Sequence, residues 1–205
     1  MNTYAESVLD RALARATPVY PAAHSGELPP LAEGAHCYLI ASDGLFVLGR
    51  GRGFSALIRV SRIRKLSPFG ELSEGVIFDD ARVPRALVRE AADRAIAENP
   101  NEWAGAIVRT EQGYALQSVE VESASPGHVT YRRDSYNDAA VVVDMHSHGT
   151  LEAYFSRTDD ASDEQGVHLS SVFGHCTDRK RLQMVARVTI NGHFLEIEPE
   201  HWLAD

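Results

Sequence analysis

Apolar residues in the first third of the chain fall into short runs broken by turn residues. HCYLIAS and LFVLGR read as two strands around Asp43-Gly44, a two-residue hairpin turn, and FSALIRVSRI reads as a third strand after GRGRG. Residues 35–66 therefore predict a small β-meander. A short amphipathic helix is expected within residues 1–20. Residues 21–34 hold three of the nine prolines and read as a loop, and residues 67–83 are rich in turn formers. At residue 84 the period changes. Leu87, Val88, Ala91, Ala95 and Ile96 recur at helical spacing, Pro84 suits the first helical position, and Asn99-Pro100 ends the run. WAGAIVRT then predicts a strand, with YALQSVEVES as its antiparallel partner across Glu111-Gln112-Gly113. AAVVVDM, at 139–145, is apolar almost throughout, as suits a strand buried on both faces. HLSSVFGHC and LQMVARVTI follow as strands, the second turning at Asn191-Gly192 into HFLEIEP.

This change of texture divides the chain near residue 80, into a β-rich N-terminal module (1–80) and an α/β domain (81–205). With 205 residues, 44% of them hydrophobic and 24% charged, the chain is long enough for a sizeable core. A net charge of −9 argues against a general nucleic-acid binder, which needs surplus Lys and Arg. Two cysteines, Cys37 and Cys176, are too few for a disulfide framework. The first twenty residues contain no apolar stretch of signal or membrane length, so the cytoplasm is the expected location and no membrane partner is expected.

The chemistry concentrates at DMHSHGTLEAYFSRTDD. His146 and His148, at i and i+2 on a strand, face the same side, so both imidazoles can reach one metal. Asp159 can fold back as a third ligand. Two His and one carboxylate with a fourth position left open is the pattern of a catalytic zinc site. Such a site needs a separate proton carrier, and Glu102, at the start of a strand able to run beside 139–146, is the candidate. Ser156 is a candidate oxyanion donor and equally a helix N-cap.

His146-Ser147-His148, seven residues, Ser156, two residues and Asp159 together resemble the signature of the JAB/MPN (JAMM) metalloproteases. Pro100, Glu102, Gly105, Ala106 and Ile107 are similar to the family's upstream glutamate element. The resemblance covers roughly residues 84–197. With the N-terminal module and the phrases HSHGTLEAYFSRTDD and GVHLSSVFG, it extends to the bacterial branch of the PRTRC system protein A group and of JAB proteases in antiphage conjugation operons. It implies a mixed sheet flanked by helices, with one zinc held by His146, His148 and Asp159. It also implies Glu102 and Ser156 as catalytic residues. The implied activity is processing or removal of a ubiquitin-like β-grasp protein at its C-terminus, with E1-like and E2-like proteins as further partners. Two alternatives stand beside it: an inactive MPN-type scaffold, and a hydrolase acting on a sulfur-carrier or small-molecule conjugate. Gly149 departs from the family, which often has proline there, and is expected to loosen the loop.

Asp160 and Asp163 read as solvated acids, with Asp160 an alternative ligand. Asp144 shares the histidines' face and suits either an imidazole N–H or a simple buried hydrogen bond. His168, His175 and Cys176 read as core or surface residues. RVSRIRK at 59–65 places Arg62 and Arg64 on one strand face, either solvated or docking an acidic partner together with Arg59 and Lys65.

Overall fold

The structure, a computed structural model, describes residues 7–64, 67–132 and 140–205. Met1, Lys65 and Ala139, which the sequence reading placed in a helix, a basic run and a strand, lie outside them. Helix α1 (Val8–Ala16) is opened by a capping box between Ser7 and Asp10. The strands β1 (Val19–Pro21), β2 (His36–Ile40), β3 (Gly44–Gly51), β4 (Phe54–Arg62) and β5 (Gly75–Phe78) form one sheet in that order, so the expected meander gains a strand at each side. The β2–β3 turn centres on Ser42-Asp43 rather than Asp43-Gly44, because Ala41 N–H donates to the Gly44 carbonyl at 2.8 Å. Gly53, with φ +79°, makes the β3–β4 turn, so GRGRG is a hairpin connection.

Next come β6 (Val83–Pro84), helix α2 (Arg85–Glu98), β7 (Ala104–Thr110), β8 (Gly113–Ser118), β9 (Glu120–Ser125), β10 (His128–Arg132) and β11 (Val141–Ser147). Pro84 is the N-cap of α2 rather than its first residue. The strand expected over YALQSVEVES is two strands. β8 pairs with β7, whereas β9 pairs with β10 in a separate hairpin. Helix α3 (Arg157–Ser162), β12 (Val167–Gly174), β13 (Gln183–Ile190), β14 (His193–Glu196), helix α4 (Pro199–Trp202) and β15 (Leu203–Ala204) complete the chain. The central sheet runs β14-β13-β12-β11-β7-β8, and only its β11–β12 pair is parallel. Asn191 (φ +45°) and Gly192 (φ +78°) form the tight turn between β13 and β14.

One face of the central sheet carries Ile107, Val143, Met145, Leu169, Phe173, Val188 and Ile190. They share an apolar core with Val88, Ala91 and Ala95 of α2, with Val47, Phe54, Ala56 and Ile58 of the N-terminal sheet, and with Trp202. The two sheets meet closely at Gly49, where a Cβ would lie 2.8 Å from the Ile190 side chain. A second cluster, including Cys37, Leu39, Phe46, Leu48 and Leu57, fills the other side of the N-terminal sheet under Leu28, Leu31 and Leu72. Both faces of β3 are thus buried. The opposite face of the central sheet presents Ala104 and Ala106 of β7, in register with His146 and Asp144 of β11, and the β9–β10 hairpin covers part of it through Val129 and Tyr131.

Candidate metal centre

The register of β11 sets the site. A bulge between Val141 and Val143 turns Val143 and Met145 into the core and leaves Asp144 and His146 on the outer face. His148 lies just past the strand, where its N–H donates to the Phe173 carbonyl at 2.8 Å. The chain then reverses over 149–156 and enters α3, and Asp159, in the first turn of that helix, returns to the histidines. His146 Nε2 stands 3.3 Å from His148 Nε2. It lies 3.0 Å from one Asp159 oxygen, and His148 Nε2 lies 3.7 Å from the other. All three side chains offer ligand atoms within 4.8 Å of one another. Two imidazole nitrogens and a carboxylate so converged bring together three electron-pair donors, a set that fits one zinc ion with a fourth position open.

The closeness of the three groups also sets their electrostatics in the metal-free site. Burial opposes ionisation of Asp159, yet hydrogen bonds from His146 and His148 prevail and hold its carboxyl well below the usual carboxylate range. Burial alone would lower His146, but the Asp159 carboxylate, with Asp144 and Glu102 behind it, raises it.

Glu102 sits one residue before Trp103 at the head of β7 and is 7% exposed. Its N–H donates to the Ser125 carbonyl of the hairpin at 3.0 Å. Burial pushes its carboxyl up, against the pull of the two imidazoles. Ser147, between the two histidines, is the latch that brings Glu102 there. Trp103 N–H donates to Ser147 Oγ at 2.9 Å and Ser147 N–H donates to the Trp103 carbonyl at 2.8 Å. Sequence reasoning passed over Ser147. Its one signal is a hydroxyl at a core-facing position of the strand.

Ser156 is the N-cap of α3. Asp159 N–H donates to its Oγ at 3.3 Å and its own N–H donates to Asp159 Oδ2 at 2.6 Å. Asp144 accepts the Tyr131 hydroxyl at 2.9 Å, so the simple hydrogen-bonding role is met there. Glu102, His128, Tyr131, Asp144, the three ligand candidates, Leu151, Tyr154 and Ser156 line one cleft of about 260 Å³. The Tyr154 ring packs edge-on to His148 with centroids 4.7 Å apart.

The region of the chain that builds this centre, residues 84–188, matches the family described as prokaryotic homologs of the JAB domain, over slightly more than half of the chain. The chain belongs to the prokaryotic JAB-domain family. Ahead of the JAB domain, residues 7–79 match a domain of unknown function, DUF2016. No curated protein matches the chain. Among solved structures, the solution structure of protein DSY2949 from Desulfitobacterium hafniense is similar at 14% identity and a TM-score of 0.45, covering 60% of this chain and 90% of that one. No helix among the described residues is long and apolar enough to cross a membrane.

Two readings of the acids around the JAB site are corrected. Asp163 is not solvated. At 4% exposure it accepts from Ser170 Oγ at 2.8 Å and from Arg187 at 2.8 and 3.2 Å, and meets His168 Nε2 at 3.1 Å. Asp160 pairs with Arg187 at 2.6 Å and is outside the ligand cluster. Gly149 stands where the family often has proline. It holds φ +54°, a left-handed value closed to a proline ring. Cys176 is a buried thiol whose pKa burial raises to about 11. His175 is half-buried, its Nδ1 3.2 Å from the Thr150 carbonyl. Of the basic run, Arg59 is tied to Asp43 at 2.7 Å, β4 ends at Arg62, and Arg64 lies beyond the strand, so these residues do not form one strand face.

Proposed function

We propose that this protein is a JAMM-type zinc peptidase that cuts at the C-terminal tail of a ubiquitin-like protein, as a processing protease or an isopeptidase. The observation that supports it most is the convergence of His146, His148 and Asp159 beside a buried Glu102 in one cleft. When bound, zinc supplies Lewis acidity toward a water molecule and a carbonyl oxygen. Glu102 takes the proton of the attacking water and passes it to the leaving amine, a task suited to a buried carboxyl whose pKa burial raises. Ser156 Oγ accepts a backbone N–H and keeps its own proton free to donate to the carbonyl oxygen as negative charge develops there. The cleft runs between the β9–β10 hairpin and the 149–156 segment, a shape suited to an extended tail.

The test is zinc analysis and cleavage of a β-grasp protein fused through its C-terminus to a reporter. The wild type should carry close to one zinc per chain. Glu102→Gln should keep the metal and lose turnover, whereas His146→Ala should lose both. A zinc-free wild type would reduce the chain to a scaffold, and turnover retained by the Gln variant would remove Glu102 from the reaction.

A further inference from the structure

Helix α3 carries Asp159, yet nothing apolar holds the helix. It spans six residues, and none of them is buried. A helix that short does not persist on its own hydrogen bonds. Its capping box is not an independent anchor, because Asp159 is itself half of it. Ser170 and His168 bond its C-cap, Asp163, but the side chain that reaches along the helix is Arg187, on the outer face of β13. Its guanidinium donates to Asp160 inside the helix at 2.6 Å and to Asp163, the C-cap, at 2.8 and 3.2 Å. It also lies against the Phe155 ring, one residue before the N-cap, with the Phe194 ring on its other side, both at 3.9 Å. One side chain thus touches the entry, the body and the end of the helix. Arg187 is 3% exposed and Asp163 4%, so the bonds between them form away from water, where they are strong and directional, while the bond to the half-exposed Asp160 lies at their edge. Thr189 Oγ1 adds a hydrogen bond to the Asp163 carbonyl at 3.1 Å.

We infer that Arg187 is a positioning residue for the metal centre: it docks α3 on the sheet and so fixes where the Asp159 carboxylate stands relative to the two histidines. The inference rests on the zinc reading above. Planarity and a forked set of donors are essential, since one group must serve two carboxylates and stack between two rings. A lysine cannot do that.

Two variants test it. Arg187→Lys keeps the charge balance, and the double variant Arg187→Met/Asp163→Asn removes both buried charges together, which a folded core tolerates far better than an unpaired one. Zinc affinity is measured by competition with a chromophoric chelator, ligand geometry by the visible absorption of the Co2+-loaded protein, and folding by melting of the metal-free form. Both variants should bind zinc more weakly by about 10- to 100-fold, the range seen when groups that orient a ligand are removed. Their Co2+ bands should shift as the carboxylate is lost, while the metal-free Lys variant still melts cooperatively. Wild-type affinity and an unchanged Co2+ spectrum in either folded variant overturn the inference. A wild type that binds no zinc overturns the metal reading instead. Loss of cooperative melting in both metal-free variants overturns the positioning inference too, since Arg187 would then support the whole sheet rather than the ligand helix.

Discussion

Gly149→Ala places a single methyl group between the candidate metal ligands and the Glu102 segment. The new Cβ would stand 2.7 Å from the Pro100 carbonyl oxygen, a backbone atom two residues before Glu102. It would also have to hold φ +54°. The left-handed backbone costs about 1–2 kcal/mol for a residue with a Cβ. Relief of the contact costs about another 1 kcal/mol, at the low end of small-to-large changes in packed regions. The total of about 2–3 kcal/mol is within the reserve of an ordinary domain, so the variant should fold. Its melting temperature should fall by about 4–12 °C, from the usual 2–4 °C per kcal/mol at this chain length. Displacement follows too. Gly149 is tied by its carbonyl to Cys176 N–H at 2.8 Å, and His148 is tied to Phe173, so the strain falls on the chain between a ligand and the glutamate. Zinc affinity should drop with stability. Gly26→Ala is the control, having φ +76° but no atom within 4 Å of the new methyl, so it should suffer the backbone term alone. The assay is thermal melting of both variants with and without zinc. Equal shifts for the two variants would refute the contact argument, and no shift for Gly149→Ala would refute both.

Asp163 predicts an acid limb of stability. Its carboxyl is held at about 2 against an ordinary 3.8, because His168, Arg187 and Ser170 together outweigh the burial that pushes it up. The stabilisation it gives is therefore complete above pH 3.8 and is lost as the pH falls through about 2. In urea unfolding of metal-free protein, the advantage of the wild type over Asp163→Asn should shrink by about 2 kcal/mol across that window, and an advantage that stays constant contradicts the ion pair. Reversal of charge at the exposed Arg62 and Arg64 should weaken cleavage of a complete ubiquitin-like substrate in a salt-dependent way. Because the N-terminal sheet packs behind the face that carries the candidate metal ligands, cleavage of a short tail peptide should be unchanged; equal slowing of both substrates would remove the docking role.

Most of the β architecture was legible because it rests on properties of single residues. Val141, Val142, Val143 and Met145 announce a strand buried on both faces whatever they pack against, and HxH on a strand places two imidazoles on one side without further information. What escaped depends on pairs of residues. Arg187 in LQMVARVTI sits where alternation allows an outward, wet side chain, and nothing near it in sequence says that Asp160 and Asp163, over twenty residues earlier, fill the space outside. Polar acids in TDDASDE likewise read as solvated until their partners are known. The break at Val119 was invisible because both halves of YALQSVEVES have strand character, and only the pairing partners, β7 and β10, differ. The role of Ser147 escaped for a similar reason, since its latch joins two segments 44 residues apart.

The close seating of Gly49 on Ile190 bears on how this protein can be dissected. A cut near residue 80 follows the boundary visible in the sequence, yet it would strip Val47, Phe54, Ala56 and Ile58 from the core that also holds Val188, Ile190 and Trp202. The excised C-terminal half would carry every residue of the metal centre and a raw apolar wall at its back. Such a fragment should aggregate unless that wall is redesigned with polar residues. Transplanting the N-terminal sheet onto another JAB domain would meet the mirror problem, since the seat at Gly49 is cut to one isoleucine. The two segments are therefore better treated as one inheritable unit than as interchangeable parts.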